Sequence, residues 1–439
     1  MKRKLLLILS LGVCLSSCKT TNDGKYKELA ADPILLHQSA EQLTNVIVHD
    51  IFKPPVASRI YAYTFLAAYE TLRNQNPENQ SLAGKISGFT APPAPEKGKE
   101  YCYPLASLKA FCMVGKTLTF TAEKWDTYEK GLWEKFEKMN IPDDVYERSV
   151  AYGEAVGKHV LDYSGKDNYK QTRGIRFTID INKPGAWVPT PPTYADACEP
   201  KWNSIRSFTL DSSSQFRAKP PVAYSESKNS DFFKLTKEVY DLSKNLTEEQ
   251  KEIAYFWDDN AFVTNISGHV MFADKKMTPP GHWIAIINTL SKQNKKSMME
   301  ALKMYSFSSI ALFDAFIASW DEKYRTVRIR PVTVINKFID SQWLPFLETP
   351  GFPEYVSGHS AISASAGKII IHLIGDNVAF TDSTEHKYGH GVRKFTSISQ
   401  CYNETSISRV YGGIHYRDGV VEGTAQGEVV GEWVWKKLN

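Results

Sequence analysis

The 439-residue sequence predicts an all-α fold of helical bundles, with a Pro-rich irregular connection between an N-terminal and a C-terminal helical half. Three observations predict it. Apolar residues recur at three- and four-residue intervals along most of the chain, strand-like alternation is scarce, and prolines gather in one stretch, 174–226. The periodic segments are 34–51, 56–75, 104–138, 143–164, 232–244, 247–262, 297–320, 359–374 and 419–437. Two of them, "AYTFLAAYETL" (Ala62 to Leu72) and "MEALKMYSFSSIALFDAFIASW" (Met299 to Trp320), are apolar nearly all round, as helices inside a bundle are. The Pro-rich stretch contains "KPGAWVPTPPTY" and "RAKPPVAY", whose prolines suppress helix. Its Trp, Ile, Leu and Phe residues argue for an ordered connection packed over the helices rather than a disordered linker. The expected organisation is therefore a signal peptide at 1–17, a tether at 18–30, a helical half at 31–180, the connection at 181–226, and a second helical half at 227–439.

The first residues are read as a secretory signal. Lys2, Arg3 and Lys4 precede an apolar run from Leu5 to Leu15, which is too short for a spanning helix. "LSSC" at Leu15 to Cys18 has the form of a bacterial lipobox, and a polar tether, "KTTNDGKYK", follows it. The expectation is an exported bacterial lipoprotein anchored at Cys18 in the periplasm or outer membrane, held by its lipid only. No later stretch approaches ~20 uninterrupted apolar residues, which predicts a soluble body. The formal charge of +4 falls to +4 − 3 = +1 without the three leader cations. A nearly neutral chain gives no electrostatic case for a nucleic-acid partner. Cys102, Cys112, Cys198 and Cys401 remain after Cys18; Cys102 with Cys112 is the most local of the possible disulfides. No cysteine pattern has zinc spacing.

Three segments in the C-terminal half combine unusual chemistry with helix boundaries. In "WDEKYRTVRIRP" (Trp320 to Pro331), four cations lie between Lys323 and Arg330, and Pro331 predicts a loop after a helix ending near Trp320. In "TPGFPEYVSGHSAISASAGKIIIHL", a Pro/Gly-rich loop delivers Ser357, Gly358 and His359 to the start of a helix, where free backbone N–H groups receive anions. In "SRVYGGIHY", a helix carries Arg409, Gly412 and Gly413 end it, and a turn presents His415. Together they supply one lysine, two arginines, a hydroxyl, a glycine N–H and two histidines. Arginine forks and a lysine suit a tetrahedral oxyanion, while histidines attack, coordinate or shuttle protons. Each piece occurs by chance; the three in order, with fixed internal spacing, form a much stronger signal.

Lys323 with Arg330-Pro331, then Ser357-Gly358-His359, then Ser408-Arg409 with His415 resembles the signature of the type 2 phosphatidic acid phosphatase / vanadium-dependent haloperoxidase superfamily. "GAWVPTPPTY", "FWDDNAFV" and "TPPGHW" extend the resemblance toward bacterial members of the haloperoxidase branch. The resemblance implies an all-α fold and a vanadate cofactor held by Lys323, Arg330, Ser357, Gly358, Arg409 and His415. His415 would be the metal ligand, His359 the acid/base, and Lys323 would polarise bound peroxide. Trp320 and Phe352 would line the halide side of the pocket. The implied activity is oxidation of a halide, iodide or bromide before chloride, by hydrogen peroxide to hypohalous acid. The alternative keeps the same residues without a cofactor: a phosphatase hydrolysing phosphate monoesters or lipid phosphates, with His415 as nucleophile. A nutrient-binding lipoprotein is a third reading, which leaves the ordered cation–histidine set unexplained.

Two positions depart from the pattern. Val356 stands where the family usually has proline before Ser-Gly-His. Gly419 stands where an aspartate usually orients the last histidine, so Asp418, or else Glu422, is expected to orient His415. His269 and His282 have no compact metal spacing and are read as structural, and His386 and His390 as solvent-facing.

Overall fold

The computed structural model describes residues 24–267 and 270–439, with side chains throughout except in 262–274. The leader, Cys18 and His269 lie outside the described residues.

The helices are α1 (Lys25–Ala30), α2 (Pro33–His49), α3 (Pro54–Leu72), α4 (Tyr103–Leu118), α5 (Ala122–Glu137), α6 (Asp143–Ser164) and α7 (Tyr169–Thr172). After the irregular connection come α8 (Asp231–Lys244) and α9 (Glu248–Phe256), then strands β1 (Phe262–Ser267) and β2 (Val270–Lys275). The chain continues through α10 (Pro279–Gln293), α11 (Met298–Thr326), α12 (Pro331–Phe338) and α13 (Gly358–Ile374). It closes with β3 (Phe380–Asp382), β4 (Arg393–Phe395), α14 (Ile398–Tyr411) and α15 (Arg417–Leu438). The strands form two small antiparallel hairpins, β1 with β2 and β3 with β4.

Local chemistry sets several boundaries that periodicity misplaces. The run read at 104–138 is two helices, because the Asp50 carboxylate at the end of α2 captures the N–H groups of Phe120 (2.8 Å) and Thr121 (3.1 Å). The run read at 247–262 stops at Phe256 and turns through Asp259, which has a positive φ of 42°. The helix expected to end near Trp320 starts at a Ser297/Glu300 capping box and runs on to Thr326, ending where Val327 turns left-handed at φ 51°. Lys323 is therefore on the last turn of α11 and not in a loop. A proline at 331 does not disturb a helix that ends five residues earlier.

α11 is the central element. It is apolar and long enough to cross a membrane, yet 94% of its most apolar stretch is buried inside the protein. It packs against α3, α10, α13 and α15, while α3 also packs on α4, and α4 on α6. One hydrophobic core thus takes residues from both sides of the irregular connection. That connection is itself anchored: Trp187 and Trp202 are fully buried, and Phe208 and Thr209 donate backbone N–H groups to Asp314 on α11 at 2.8 and 2.7 Å.

The four described cysteines are buried thiols, which overturns the local Cys102–Cys112 pairing. Cys102 caps α4 and Cys112 lies within it. Ten residues of helix separate them by about 15 Å along the axis, beyond disulfide reach.

α13 and α15 approach each other almost backbone to backbone. A Cβ at Gly427 would lie 2.0 Å from the Ala361 carbonyl oxygen, and one at Gly423 would lie 2.7 Å from that of Ser357. This contact fixes the first turn of α13, where Ser357 to His359 emerge. Gly427→Ala should therefore destabilise the fold by ~1–3 kcal/mol in chemical denaturation. Gly131→Ala, on exposed α5 with nothing within 4 Å of the new methyl, should be neutral or stabilising by up to about 1 kcal/mol. Equal effects at the two positions would show that the helix–helix approach is not constrained.

Candidate active site

The three sequence segments converge on one buried pocket. The end of α11 brings Lys323, the start of α12 brings Arg330, the 350–358 loop leads into α13, and the turn from α14 to α15 carries His415. Lys323 is fully buried, and its ammonium donates to the carbonyls of Pro353 (3.1 Å), Glu354 (3.0 Å) and Val356. Arg330, also fully buried, donates Nε–H to Phe352 O (2.9 Å) and Nη1–H to Ile414 O (2.7 Å). Its Nη1 is 3.2 Å from His415 Nε2. Arg409 donates to the Trp257 carbonyl. The ammonium of Lys323 and the guanidinium of Arg330 stack 4.9 and 5.0 Å from the Phe352 ring centre.

Among the polar atoms buried here without a partner are Arg330 Nη2, Arg409 Nε and His359 Nε2. Leaving such groups unmet costs about 1–3 kcal/mol each, more when they are charged. Burying each cation costs several kcal/mol as well. Burial, then neighbouring Arg330, pulls the Lys323 ammonium well below its ordinary pKa, and burial lowers Arg409 too. An anion would relieve the penalties on the cations together. Ser357, the N-cap of α13, already accepts from Ser360 N (3.3 Å) and Ser360 Oγ (2.8 Å), so its own hydroxyl hydrogen is available to donate. Gly358 brings its backbone close: a Cβ there would meet the Trp320 ring at 3.1 Å. The donor set fits a tetrahedral oxyanion such as vanadate.

His415 has a defined tautomer. Its Nδ1 is 2.8 Å from Glu354 Oε1, an acceptor-only carboxylate, so Nδ1 carries the hydrogen and Nε2 keeps a lone pair. Burial, then Arg330, Lys323 and Arg409, hold the ring well below its ordinary pKa and therefore neutral near pH 7. Burial and then Arg409, His415 and Lys323 do the same to His359. The expected orienting residues, Asp418 and Glu422, do not touch His415. Asp418 accepts from Arg328 (2.8 Å) and Glu422 pairs with Lys219 (3.3 Å).

Glu354 and Arg328 are the residues that sequence reasoning missed. Glu354 Oε1 also accepts from Tyr416 N (3.2 Å), and Oε2 accepts from Arg328 Nη1 (3.1 Å). Arg328, which lies between the two motif cations Lys323 and Arg330, is buried and joins Glu354 to Asp418. Gly419 explains the exchange: a Cβ there would lie 2.4 Å from Glu354 Oε1. Loss of an aspartate after His415 and an acid three residues before Ser357 are two halves of one signal. Arg325, by contrast, pairs with Glu322 away from the pocket.

The innermost cavity, about 30 Å³, is lined by Trp320, Phe352, Gly358, His359, Arg409 and His415. The Trp320 and Phe352 rings are 5.1 Å apart and form its apolar wall. It shares Phe352, His359 and Arg409 with a vestibule of about 580 Å³ that also reaches Asp258, Asp259 and Cys198. The pocket thus admits an ion at its base and larger molecules above it.

Residues 303–439 match the family model described as the VCPO second helical-bundle domain. The crystal structure of the first bacterial vanadium-dependent iodoperoxidase superposes with a TM-score of 0.87 at 42% identity, covering 93% of this chain and 97% of that one. The holo-type bacterial vanadium-dependent chloroperoxidase gives a TM-score of 0.67 at 18% identity, over 89% of this chain and 93% of that one. Its apo-type structure gives 0.66 at 18% identity, over 88% and 96%. At that identity the chloroperoxidases show the shared fold alone. Comparison with curated proteins gives no match. On the extent and identity of the iodoperoxidase match, this chain belongs to the vanadium-dependent haloperoxidase family.

Proposed function

We propose that this chain oxidises iodide, and bromide less readily, with hydrogen peroxide, using vanadate held in the cation–histidine pocket. The observation that carries this reading is the set of unpartnered Arg330 Nη2, Arg409 Nε and His359 Nε2 around a neutral His415. The 42% identity to an iodoperoxidase supports the choice of halide. Lys323, Arg330 and Arg409 would neutralise the oxygens, Ser357 and the Gly358 N–H would donate to them, and His415 Nε2 would be the metal ligand. Bound vanadate supplies a Lewis acid that activates peroxide without changing oxidation state. His359 Nε2, neutral and facing the cavity, would take a proton from incoming peroxide and return it to the departing hypohalous acid. Lys323 would polarise the peroxide oxygen that the halide attacks. The Trp320–Phe352 wall offers a halide no compensation for lost hydration, which favours the large, weakly hydrated iodide.

We further propose that the protein is lipidated at Cys18 and exported. Metabolic labelling with radioactive palmitate in a bacterial host should mark the wild type and leave Cys18→Ser unlabelled; an unlabelled wild type would sink the anchor.

The activity test is peroxide-dependent triiodide formation by purified protein, with and without orthovanadate. It should appear only with vanadate, and His415→Ala should abolish it. Vanadate-inhibited hydrolysis of p-nitrophenyl phosphate with no halide oxidation would overturn the assignment. Glu354→Gln gives the His415 Nδ1–H a weaker oxygen acceptor, and Gly419→Ala drives a methyl into the Glu354 carboxylate. Each should weaken vanadate binding by about 10–100-fold, read by titrating activity with vanadate. Wild-type affinity in both would show that the Glu354–His415 bond does not tune the site.

A further inference from the structure

The chain holds a second cluster of ligating groups, outside the oxyanion pocket. Asp259 from the turn after α9, His282 from the first turn of α10, and Glu385 from the loop after β3 offer ligand atoms that all lie within 4.8 Å of one another. The three are 2%, 0% and 1% exposed, so their polar atoms have almost no access to water. Glu385 Oε1 is buried without any hydrogen-bond partner, which a structural ion-pair cluster does not explain.

The histidine bridges two carboxylates. Its Nε2 is 2.9 Å from Asp382 Oδ2, and Nδ1 is 2.8 Å from Asp259 Oδ1. Both nitrogens face carboxylates, so without an ion the ring is held as an imidazolium; loss of the Nδ1 hydrogen, with Nε2–H still donated to Asp382, gives the carboxylate–histidine–metal arrangement. With bonds of about 2.1 Å, a nitrogen and an oxygen 2.8 Å apart span one cis edge of an octahedral cation. Trp257 stacks on the ring, with centroids 4.5 Å apart, and keeps it in plane.

We propose that Asp259, His282 Nδ1 and Glu385 bind a divalent first-row transition cation of the Mn²⁺ or Zn²⁺ class. Two carboxylates and one imidazole select these ions over softer, thiolate-seeking ones. The cation displaces the proton shared by His282 Nδ1 and Asp259, so binding releases at least one proton. Asp259 also lines the vestibule, which gives the ion a route in. The role is structural and positional. The ion ties the α9–β1 turn, which bears Trp257, Asp258 and Asp259, to α10 and the β3–β4 hairpin. The Trp257 carbonyl receives Arg409, and Asp258 and Asp259 act on the Arg409 charge, so the site steadies one of the oxyanion arginines.

The test uses the full chain without vanadate, so it does not depend on halide oxidation. After chelation and dialysis, Mn²⁺ or Zn²⁺ is titrated by calorimetry, and the melting temperature is followed with and without each ion. The wild type should bind one equivalent and melt at higher temperature with the ion. Glu385→Gln, which keeps the side-chain shape, should bind at least tenfold more weakly and lose that increment. A wild type that takes up neither ion, or a Glu385→Gln variant that binds as the wild type does, would overturn the site and leave His282 as a doubly paired imidazolium. A variant that fails to fold is replaced by Asp259→Asn, judged by the same two readouts.

Discussion

The architecture of the pocket depends on one buried carboxylate. Glu354 is fully buried, yet both of its oxygens are engaged, by His415 and Tyr416 N on one side and Arg328 on the other. A charge in that position is tolerable only because three donors replace its water. It fixes the histidine tautomer, ties the α14–α15 turn to the 350–358 loop, and leaves no room for a side chain at 419. If the acid were removed while Arg328 stayed, that buried cation would keep Asp418 alone as its acidic partner, so the two residues form a unit rather than separate contributions.

That unit is carried by a scaffold whose stability comes from elsewhere. α11 is buried along nearly its whole length and delivers Lys323 at its last turn, where the ammonium is taken up by the carbonyls of Pro353, Glu354 and Val356. α13 delivers Ser357 and Gly358 at its first turn, where free N–H groups point outward. Close packing of α13 on α15 through small residues sets the distance between Ser357 and the His415 turn. The large core absorbs the desolvation of the cations, which by themselves destabilise the fold.

The convergence of these segments on one pocket was legible in the sequence because each has fixed internal spacing: Lys323 with Arg330, Ser357 with His359, Arg409 with His415. These pairs sit on single helix-to-loop junctions, so short-range sequence determines their geometry. The all-helical class was legible for a similar reason, since three- and four-residue periodicity is local. What could not be read depends on contacts between distant residues. Asp50 breaks the 104–138 run from a site 70 positions away. Glu354 reaches His415 across 61 positions, and nothing at 354 alone distinguishes it from a surface acid. The absent side chain at 419 was visible, but the space it frees was not. Lys323 was misplaced by the proline rule, which marks where a helix cannot continue and not where it stops.

The arginines of the pocket divide their donors between backbone and cavity, while Lys323 commits its three ammonium hydrogens to carbonyls, and this explains how the site stays formed. Lys323 reaches three carbonyls, Arg330 two, and Arg409 one, all from loops that also border the pocket. Those carbonyls hold each cation in place and leave Arg330 Nη2 and Arg409 Nε unpaired, ready to meet an anion. Electrostatic stabilisation is effective when the dipoles and charges need not reorganise as negative charge develops. Here the reorganisation has been met during folding, because the same hydrogen bonds that close the 350–358 loop also aim the guanidinium of Arg330. Arg409 is the least secured of the three, tied to a single carbonyl on the Trp257 turn. Its alignment therefore depends on how firmly that turn is held against α10 and the β3–β4 hairpin, and the acidic cluster around His282 is the part of the fold that holds it.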